Sequence, residues 1–237
     1  MRPRSIPDRA NPSEHLLHVR REIRRAGKGG IGEGPFGGWR VARQRAAVAG
    51  GWEWRNDRRV TSRVDVVPSG DLSDALRKGV RDLLDDAFKG EFTDEDWDHT
   101  LGGWHLIAVD GPTVISHAAV VRRVIGVAGK DYRSGYVEGV ATRPDRQGQG
   151  CGSAVTVGAS TLIREQLELG VLSTGLHEFY GRLGWERWQG PSFVDNSGRL
   201  VRTQEEDDGI MVLRAGPSSG IDLTAPIACR SRPGDDW

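Results

Sequence analysis

The residues most suited to chemistry begin with a glycine-rich stretch, RPDRQGQGCGSA, at 143–154. A predicted strand (YVEGVAT, 136–142) precedes this stretch, and a helix predicted over 154–169 follows it. A glycine turn that leads into a helix gathers backbone N–H donors around one point, where they can bind phosphate. The spacing G-Q-G-C-G-S fits neither a Walker loop, which needs a following lysine, nor a dinucleotide-binding fingerprint. The glycines alone also allow a flexible surface turn.

Two side chains near this loop are candidates for acid–base chemistry. Glu138 interrupts an otherwise apolar strand two residues before Val140, which makes it a candidate general base. The alternative is an ordinary strand carboxylate that faces solvent. Tyr180, in the predicted helix HEFYGRL (177–183), carries a phenol that can donate a proton, with a buried core tyrosine as the alternative.

Carboxylates are concentrated in three short segments: Glu91 to Asp98, Glu205 to Asp208, and Asp235–Asp236 with the α-carboxylate of Trp237. Such clusters suit a ligand with several ammonium groups better than an apolar one. Two of the clusters have an alternative interpretation. Asp96 fits the T-x-x-D pattern of a helix capping box that starts at Thr93, and the 205–208 run is also typical of a solvated turn.

The charge is unevenly distributed along the 237 residues, although the net charge is zero. Residues 1–60 carry a balance of +8 and the remainder a balance of −8. An acidic body is expected to attract cations and to repel nucleic acid. The 37% apolar content is that of a soluble protein, and neither a membrane span nor a secretory signal is found, so a cytoplasmic location is expected.

Metal and disulfide chemistry are not expected. The two cysteines, Cys151 and Cys229, are too few and too far apart for a disulfide framework or a zinc site. The histidines lack metal-binding spacing. Cys151, although inside the glycine loop, is interpreted as a packing residue.

The pattern of elements predicts one domain over residues 61–237. Strands are predicted at 63–67, 104–110, 114–127, 136–142, 170–173, 185–188 and 209–213, and helices at 72–88, from Thr93, at 154–169 and at 177–183. The 104–110 and 114–127 strands should form an antiparallel hairpin around Asp110-Gly111-Pro112. Residues 1–60 are basic, rich in glycine and arginine, and predicted to be disordered. They are either a dispensable tail or an arm that binds nucleic acid or a partner.

The loop and its neighbours resemble the GNAT acetyltransferases. The resemblance rests on Val140, on Arg143-Pro144-Asp145, on Gln147-x-x-Gly150-x-Gly152, and on Phe179-Tyr180 before Leu183-Gly184-Trp185. It implies an α/β (α+β) fold with a mixed central sheet that contains a splayed strand pair and is flanked by helices. It also implies that the loop binds the pyrophosphate of acetyl-CoA and that the Val140 N–H meets the thioester carbonyl. The implied coenzyme contacts are Val140, Arg146, Gln147, Gly148, Gln149, Gly150, Cys151, Gly152 and Ser153.

A narrower resemblance covers residues 63–237. KGEFTDEDWDHTLGGWH (89–105), SGYVEGVA (134–141), LGWERWQGP (183–191) and PGDDW (233–237) are similar to segments of the aminoglycoside 2′-N-acetyltransferase family. The resemblance implies transfer to the 2′-amine of aminoglycosides, hence resistance, with Glu138 acting as base through water and Tyr180 as acid. The implied ligands of the drug are Glu91, Asp96, Glu138, Ser173, Asp207, Asp235 and the Trp237 carboxylate. Because that family often forms dimers, a homodimer is also expected.

Three features depart from that family's pattern. Glu91 stands where an aspartate is common, and Arg230 stands where an acidic residue is usual. Residues 1–60 have no counterpart. Two other functions therefore stay open: a GNAT enzyme for another polyamine or amino sugar, and a non-catalytic regulator that binds coenzyme A.

Overall fold

The computed structural model describes residues 63–237 together with the short strand Trp52–Glu53. The described strands form one mixed sheet. They are β1 (Trp52–Glu53), β2 (Arg63–Pro68), β3 (Trp104–Asp110), β4 (Thr113–Val127), β5 (Lys130–Thr142), β6 (Leu169–Ser173), β7 (Glu186–Arg187), β8 (Ser192–Asn196), β9 (Arg199–Arg202), β10 (Ile210–Arg214) and β11 (Ile227–Arg230).

The sheet follows the order β1-β2-β3-β4-β5-β6-β10-β7, with β11, β8 and β9 attached through β4. The β5–β6 and β8–β11 pairs are parallel and the others antiparallel, which confirms the predicted mixed sheet. The β3–β4 hairpin is also confirmed.

Four α-helices are described: α1 (Asp74–Ala87), α2 (Asp94–His99), α3 (Cys151–Gln166) and α4 (His177–Gly181). The Ser73 hydroxyl caps α1 by accepting from the Leu76 N–H at 3.2 Å. The capping box predicted at Thr93 and Asp96 opens α2. The third helix begins three residues earlier than predicted and ends before Leu169, which belongs to β6.

The two longer helices cover opposite faces of the sheet. Successive β3 residues point to opposite faces, so Leu106 packs in the cluster with α3 while Ile107 packs with α1. Both side chains are almost fully buried. This arrangement leaves the C-terminal half of β5 between helices on both sides.

The β5 and β6 strands separate part-way along their length. Their ladder runs only from Ser134–Leu169 to Tyr136–Val171, whereas β6 pairs with β10 on its other edge along its whole length. From Val137 onward, β5 therefore has no partner on this side among the described strands. This confirms the predicted splayed pair, and the wedge opens beside Glu138 and Val140.

Several elements were missed or shortened by the sequence prediction. The β5 strand starts at Lys130 rather than at 136, after a tight turn at Ala128 (φ 50°) and Gly129 (φ 79°). The β8, β9 and β11 strands were not predicted. The predicted disorder of residues 1–60 lies outside the described residues, apart from β1, which pairs with β2. No helix in the described part of the chain is long and apolar enough to cross a membrane.

Candidate active site

The glycine loop lies at one end of the wedge and leads into α3. Gly148 (φ 72°) and Gly150 (φ 88°) adopt the left-handed conformation that favours glycine, and Gly150 is the N-cap of α3. No side chain caps this helix. The first N–H groups of a helix lack partners within it, so the amides of Cys151, Gly152 and Ser153 can bind an anion.

The loop is held in place by polar contacts to its surroundings. The Gln147 side chain donates to the Thr142 carbonyl at the end of β5 (3.3 Å), and Gln149 donates to the Asp145 carbonyl (2.9 Å). The Arg146 guanidinium pairs with Asp110 at 2.5 Å. The loop is thus attached both to β5 and to the β3–β4 turn.

Tyr180 lies on α4, close to the same loop. A Cβ added at Gly152 would lie 3.0 Å from the Thr142 hydroxyl and 3.9 Å from the Phe179 ring, so the loop, β5 and α4 meet there. The Tyr180 ring is buried edge-on to Trp185, at 6.1 Å between centroids. Its hydroxyl makes no hydrogen bond with the described residues. Burial raises the pKa of this hydroxyl well above its ordinary value, so it keeps its proton at neutral pH and can donate it.

Glu138 lies on the open part of β5 and is 6% exposed. The alternative interpretation required a carboxylate that faces solvent, and the burial of Glu138 excludes it. The guanidinium of Arg232, from the C-terminal segment, donates to its Oε1 at 2.8 Å. Both side chains are largely buried: the side chain alone is 7% exposed in Glu138 and 16% exposed in Arg232.

The backbone beside Glu138 contains a bulge. The β4–β5 register passes from Ala119–Glu138 to His117–Ala141, so Gly139 and Val140 together oppose Ala118 alone. Gly139 has φ 55°, which suits a glycine-type bulge. The bulge interrupts the regular ladder at Val140, the residue predicted to bind the thioester carbonyl.

A chain of two buried histidines supports this bulge. The His117 Nδ1 donates to the Gly139 carbonyl (2.8 Å), and this carbonyl can only accept. The Nε2 of His117 therefore accepts from Nδ1 of His105 (2.9 Å), whose Nε2 meets the Ser69 hydroxyl at 3.1 Å. Both rings are neutral in this network. Desolvation lowers the pKa of His105 to about 4 and that of His117 to about 3.

These two histidines should make the fold less stable in acid. Because their folded pKa values are lowered, the unfolded chain binds more protons below pH 6.5, and stability falls as pH falls from 6.5 toward 4. Between pH 6.5 and pH 5 the loss should be about 2 kcal/mol per histidine. Urea unfolding at several pH values measures it. His117→Gln should make the free energy of unfolding depend less steeply on pH. His177→Gln, which replaces a partly exposed histidine, should leave this dependence as in the wild type. Equal slopes for wild type and His117→Gln would contradict this account.

The C-terminal segment, residues 231–237, brings several predicted ligands to the same end of the site. The Pro233 carbonyl contacts the His99 ring of α2 at 2.7 Å, and a Cβ on Gly234 would lie 3.1 Å from that ring. The segment therefore connects α2, which carries Asp96, with Glu138 on β5. Asp235 and the buried Trp237 belong to this segment.

Asp96 has the structural role that was its alternative. Its Oδ2 accepts from the Thr93 N–H and hydroxyl, each at 2.8 Å. Glu91 lies in the connection that precedes α2 and is partly buried. The contacts of both residues with a ligand stay a prediction.

The remaining predicted ligands lie on the β6–β10 side. Ser173, at the end of β6, donates to Glu206 at 3.4 Å. The Asp207 carboxylate is already engaged, since it pairs with Arg202 and accepts from the Ser192 N–H (2.9 Å) and hydroxyl (2.8 Å). The hydrogen bond from Arg202 lowers the pKa of Asp207. A ligand at Asp207 would have to share this ion pair.

The arginine that departs from the family's pattern, Arg230, supplies no positive charge beside Glu138. Arg230 is exposed and pairs with Asp131 at 3.1 Å, away from Glu138. Arg232 reaches Glu138 instead, and Arg123 binds the same C-terminal segment without contacting Glu138. A lone arginine in an acidic terminal segment was the available signal. Arg230 ends β11 and Arg232 lies in the segment that follows, and no periodicity in the sequence shows which of these two arginines points inward.

The arrangement combines an amide cradle for an anion, a wedge that exposes strand backbone, a buried carboxylate and a protonated phenol. These groups suit transfer of an acyl group from a phosphate-bearing thioester to an amine. Among the described residues, no cluster of three or more histidine, cysteine or acidic side chains could hold a metal ion.

Comparison with known proteins gives concordant matches. Residues 71–188 match the family model "Acetyltransferase (GNAT) domain". An aminoglycoside 2′-N-acetyltransferase of Mycolicibacterium fortuitum is 40% identical over 176 residues, which cover 73% of this chain and 90% of that relative. A GNAT family N-acetyltransferase from Escherichia coli, solved in complex with CoA, aligns with a TM-score of 0.53 at 16% identity, over 74% of this chain and 93% of its own. A probable N-acyltransferase from Enterococcus faecalis aligns over 54% of this chain but 33% of its own length, with a TM-score of 0.47 and 22% identity.

Proposed function

Because the chain belongs to the GNAT acetyltransferases and, within them, to the aminoglycoside 2′-N-acetyltransferase family, we propose that it transfers the acetyl group of acetyl-CoA directly to the 2′-amine of aminoglycosides. The observation that carries this proposal is the wedge between β5 and β6, which separates the anion-binding glycine loop from the buried carboxylate of Glu138. The thioester would lie in the wedge, and the amine would approach from the Glu138 end.

The coenzyme site is proposed on the glycine loop. The amides of Cys151, Gly152 and Ser153 at the start of α3 would bind the pyrophosphate, and the left-handed glycines 148 and 150 keep side chains out of its way. Arg146, Gln147 and Gln149 lie on the same loop and supply donors at its rim. Arg146 would exchange its Asp110 partner for a phosphate, or share it.

The reaction needs a proton acceptor, a polarised carbonyl and a proton donor. Glu138 would remove the ammonium proton, through water, so that the amine can attack the thioester carbon. The Val140 N–H, displaced from the regular ladder by the bulge at Gly139, would hydrogen-bond the thioester oxygen as negative charge develops there. The C–S bond then breaks, and the sulfur takes the Tyr180 proton. The second proton of the attacking nitrogen leaves as the amide forms, and a proton from solvent restores the phenol.

The acceptor site is proposed at the acidic end of the wedge. Glu138, Asp235 and the α2 region with Glu91 and Asp96 would bind ammonium groups and hydroxyls of the drug. Ser173 and Asp207 would contact it from the β6 side. The α-carboxylate of Trp237 would add a further negative charge for the drug's ammonium groups. A homodimer stays a prediction.

Gly150→Ala should weaken acetyl-CoA binding. A left-handed alanine costs about 1–2 kcal/mol, and the loop would relax away from the phosphate-binding geometry. We expect KM for acetyl-CoA to rise about tenfold, since 1.4 kcal/mol is a factor of ten, with kcat changed far less. Steady-state kinetics at saturating drug measure this. Gly220→Ala is the matched control, because that glycine is exposed and has open space around its Cβ position. An unchanged KM for Gly150→Ala would contradict the loop assignment.

Thiol release from acetyl-CoA tests the proposed function. Tobramycin and kanamycin B carry a 2′-amine, whereas kanamycin A carries a hydroxyl there. Turnover with the first two alone is expected. Equal turnover with kanamycin A would reject the 2′ assignment. Turnover only with other polyamines would show that the acceptor is not an aminoglycoside. Absence of turnover with any amine would favour a regulator that only binds coenzyme A.

A further inference from the structure

The contact between Arg232 and Glu138 joins the last segment of the chain to the centre of the site. Arg232 Nη2 donates to Glu138 Oε1 at 2.8 Å across a separation of 94 residues in sequence. A buried carboxylate without a partner would cost several kcal/mol, so a charge pair at this position stabilises the ionised form. The sequence resemblance assigned no role to Arg232.

Arg232 is itself held by several contacts. Its Nε donates to the Asp235 carbonyl (2.6 Å), and its backbone N–H donates to Asp236 Oδ1 (2.8 Å). Its guanidinium carbon lies 5.6 Å from the centroid of the buried Tyr136 ring. The side chain is therefore fixed before any ligand arrives, which reduces the entropy lost on positioning Glu138.

Arg123 supports the same segment without contacting Glu138. It donates to the carbonyls of Asp236 (2.5 Å) and Arg230 (2.8 Å), and its guanidinium carbon lies 4.9 Å from the Tyr136 ring centroid. The two arginines thus contact the same segment and the same aromatic ring. Only Arg232 binds the carboxylate of Glu138.

The Arg232 contact is restricted to one carboxylate oxygen. Oε1 of Glu138 accepts from Arg232, and Oε2 accepts no hydrogen bond from the described residues. A two-pronged arginine pair would occupy both oxygens, as such pairs often do. The single contact leaves one oxygen to accept a proton.

We propose that Arg232 is a positioning residue that binds Oε1 of Glu138 and presents Oε2 to the acceptor amine or its relaying water. This inference rests on the proposed function, in which Glu138 is the base. It also links correct folding of the C-terminal segment to activity, because the segment that carries the predicted drug ligand Asp235 also orients the base.

Removal of the guanidinium should act on both geometry and charge. A misplacement of about 1 Å can cost 100-fold in rate, so Arg232→Gln should lower kcat for tobramycin by roughly 10-fold to 100-fold. Loss of a neighbouring positive charge lets a carboxylate keep its proton to higher pH, so the acid limb of the kcat/KM profile should move upward. Arg232→Lys keeps the positive charge, so it should return the acid limb of the kcat/KM profile to its wild-type pH. Its kcat should recover only in part.

Other charged or titratable groups lie on the elements that pack against β5 or bind Arg232, and they must be considered in that profile. They lie on β4, on α2 and on the C-terminal segment, and they are Arg123, His117, Asp96, Asp235 and Asp236. Arg123→Gln is the matched control for them. It removes a guanidinium that contacts the same segment and the same ring, so it should affect stability and leave the acid limb in place.

The closing experiment pairs kinetics with carbon-13 NMR of the Glu138 carboxyl group, assigned by its absence in Glu138→Gln. The expected result is a carboxyl titration that moves to higher pH in Arg232→Gln, stays in Arg123→Gln and returns in Arg232→Lys. An active wild type whose titration and kcat are unchanged by Arg232→Gln would refute the role of Arg232 alone. A wild type inactive with every amine would refute the proposed function, and the role of Arg232 with it. An equal shift in Arg123→Gln would also overturn the proposal.

Discussion

Replacing Glu138 by glutamine should lower kcat for tobramycin by between about 100-fold and 10,000-fold, the usual contribution of a general base. Glutamine has the same shape, and its side-chain carbonyl can still accept from Arg232, so packing around the 7%-exposed side chain should persist. Aminoglycoside amines lose their protons unaided at high pH. The deficit should therefore shrink as pH rises, and the optimum should move to alkaline pH.

Glu165→Gln is a suitable control for this experiment. Glu165 lies exposed on α3, so loss of its charge should leave kcat and the pH profile at wild-type values. Initial rates from pH 6 to about pH 10 give both quantities. If Glu138→Gln kept the wild-type profile, Glu138 would not be the base.

Replacing Tyr180 by phenylalanine should lower kcat by about 100-fold while leaving the fold intact. The ring stays packed against Trp185, and the hydroxyl that is removed makes no hydrogen bond with the described residues. Burial raises the pKa of this hydroxyl, so it is a proton donor throughout the working range. The departing sulfur would lose that donor. Above the ordinary pKa of a thiol, about 8.5, a thiolate needs no proton, and the deficit should narrow.

Tyr132→Phe provides the comparison for Tyr180. Tyr132 is also buried, in the other cluster with Ile125 and Val127, and it lies outside the wedge. Its replacement should leave kcat unchanged. Thermal unfolding of both variants checks that the fold is retained. A Tyr180→Phe enzyme with wild-type kcat at pH 7 would show that another group protonates the sulfur.

Features set by a few adjacent residues could be predicted from the sequence. The glycine loop needs positive φ at Gly148 and Gly150, and only glycine adopts that conformation without strain. The capping box of Thr93 and Asp96 is equally local. The splayed strands followed from the family resemblance, since no periodicity in β5 indicates where β6 leaves it.

Features that depend on distant contacts could not be predicted. The short β11 strand exists because it pairs with both β4 and β8, and its four residues carry no clear strand signal by themselves. The same holds for Arg232, whose partner is 94 residues away. His105 and His117 look like isolated strand histidines until the β3–β4 pairing brings His105 Nδ1 to within 2.9 Å of His117 Nε2. The early start of β5 depends on a turn at Ala128, an unusual residue for positive φ.

The position of the acetyl group on the product tests the central claim most directly. Tobramycin offers several primary amines, and the enzyme would be incubated with it and acetyl-CoA until one acetyl group is added per molecule. Two-dimensional NMR of the isolated product then identifies the modified nitrogen. The proposed function predicts an amide at the 2′ position alone. An acetyl group on any other nitrogen, with the 2′-amine unmodified, would contradict it.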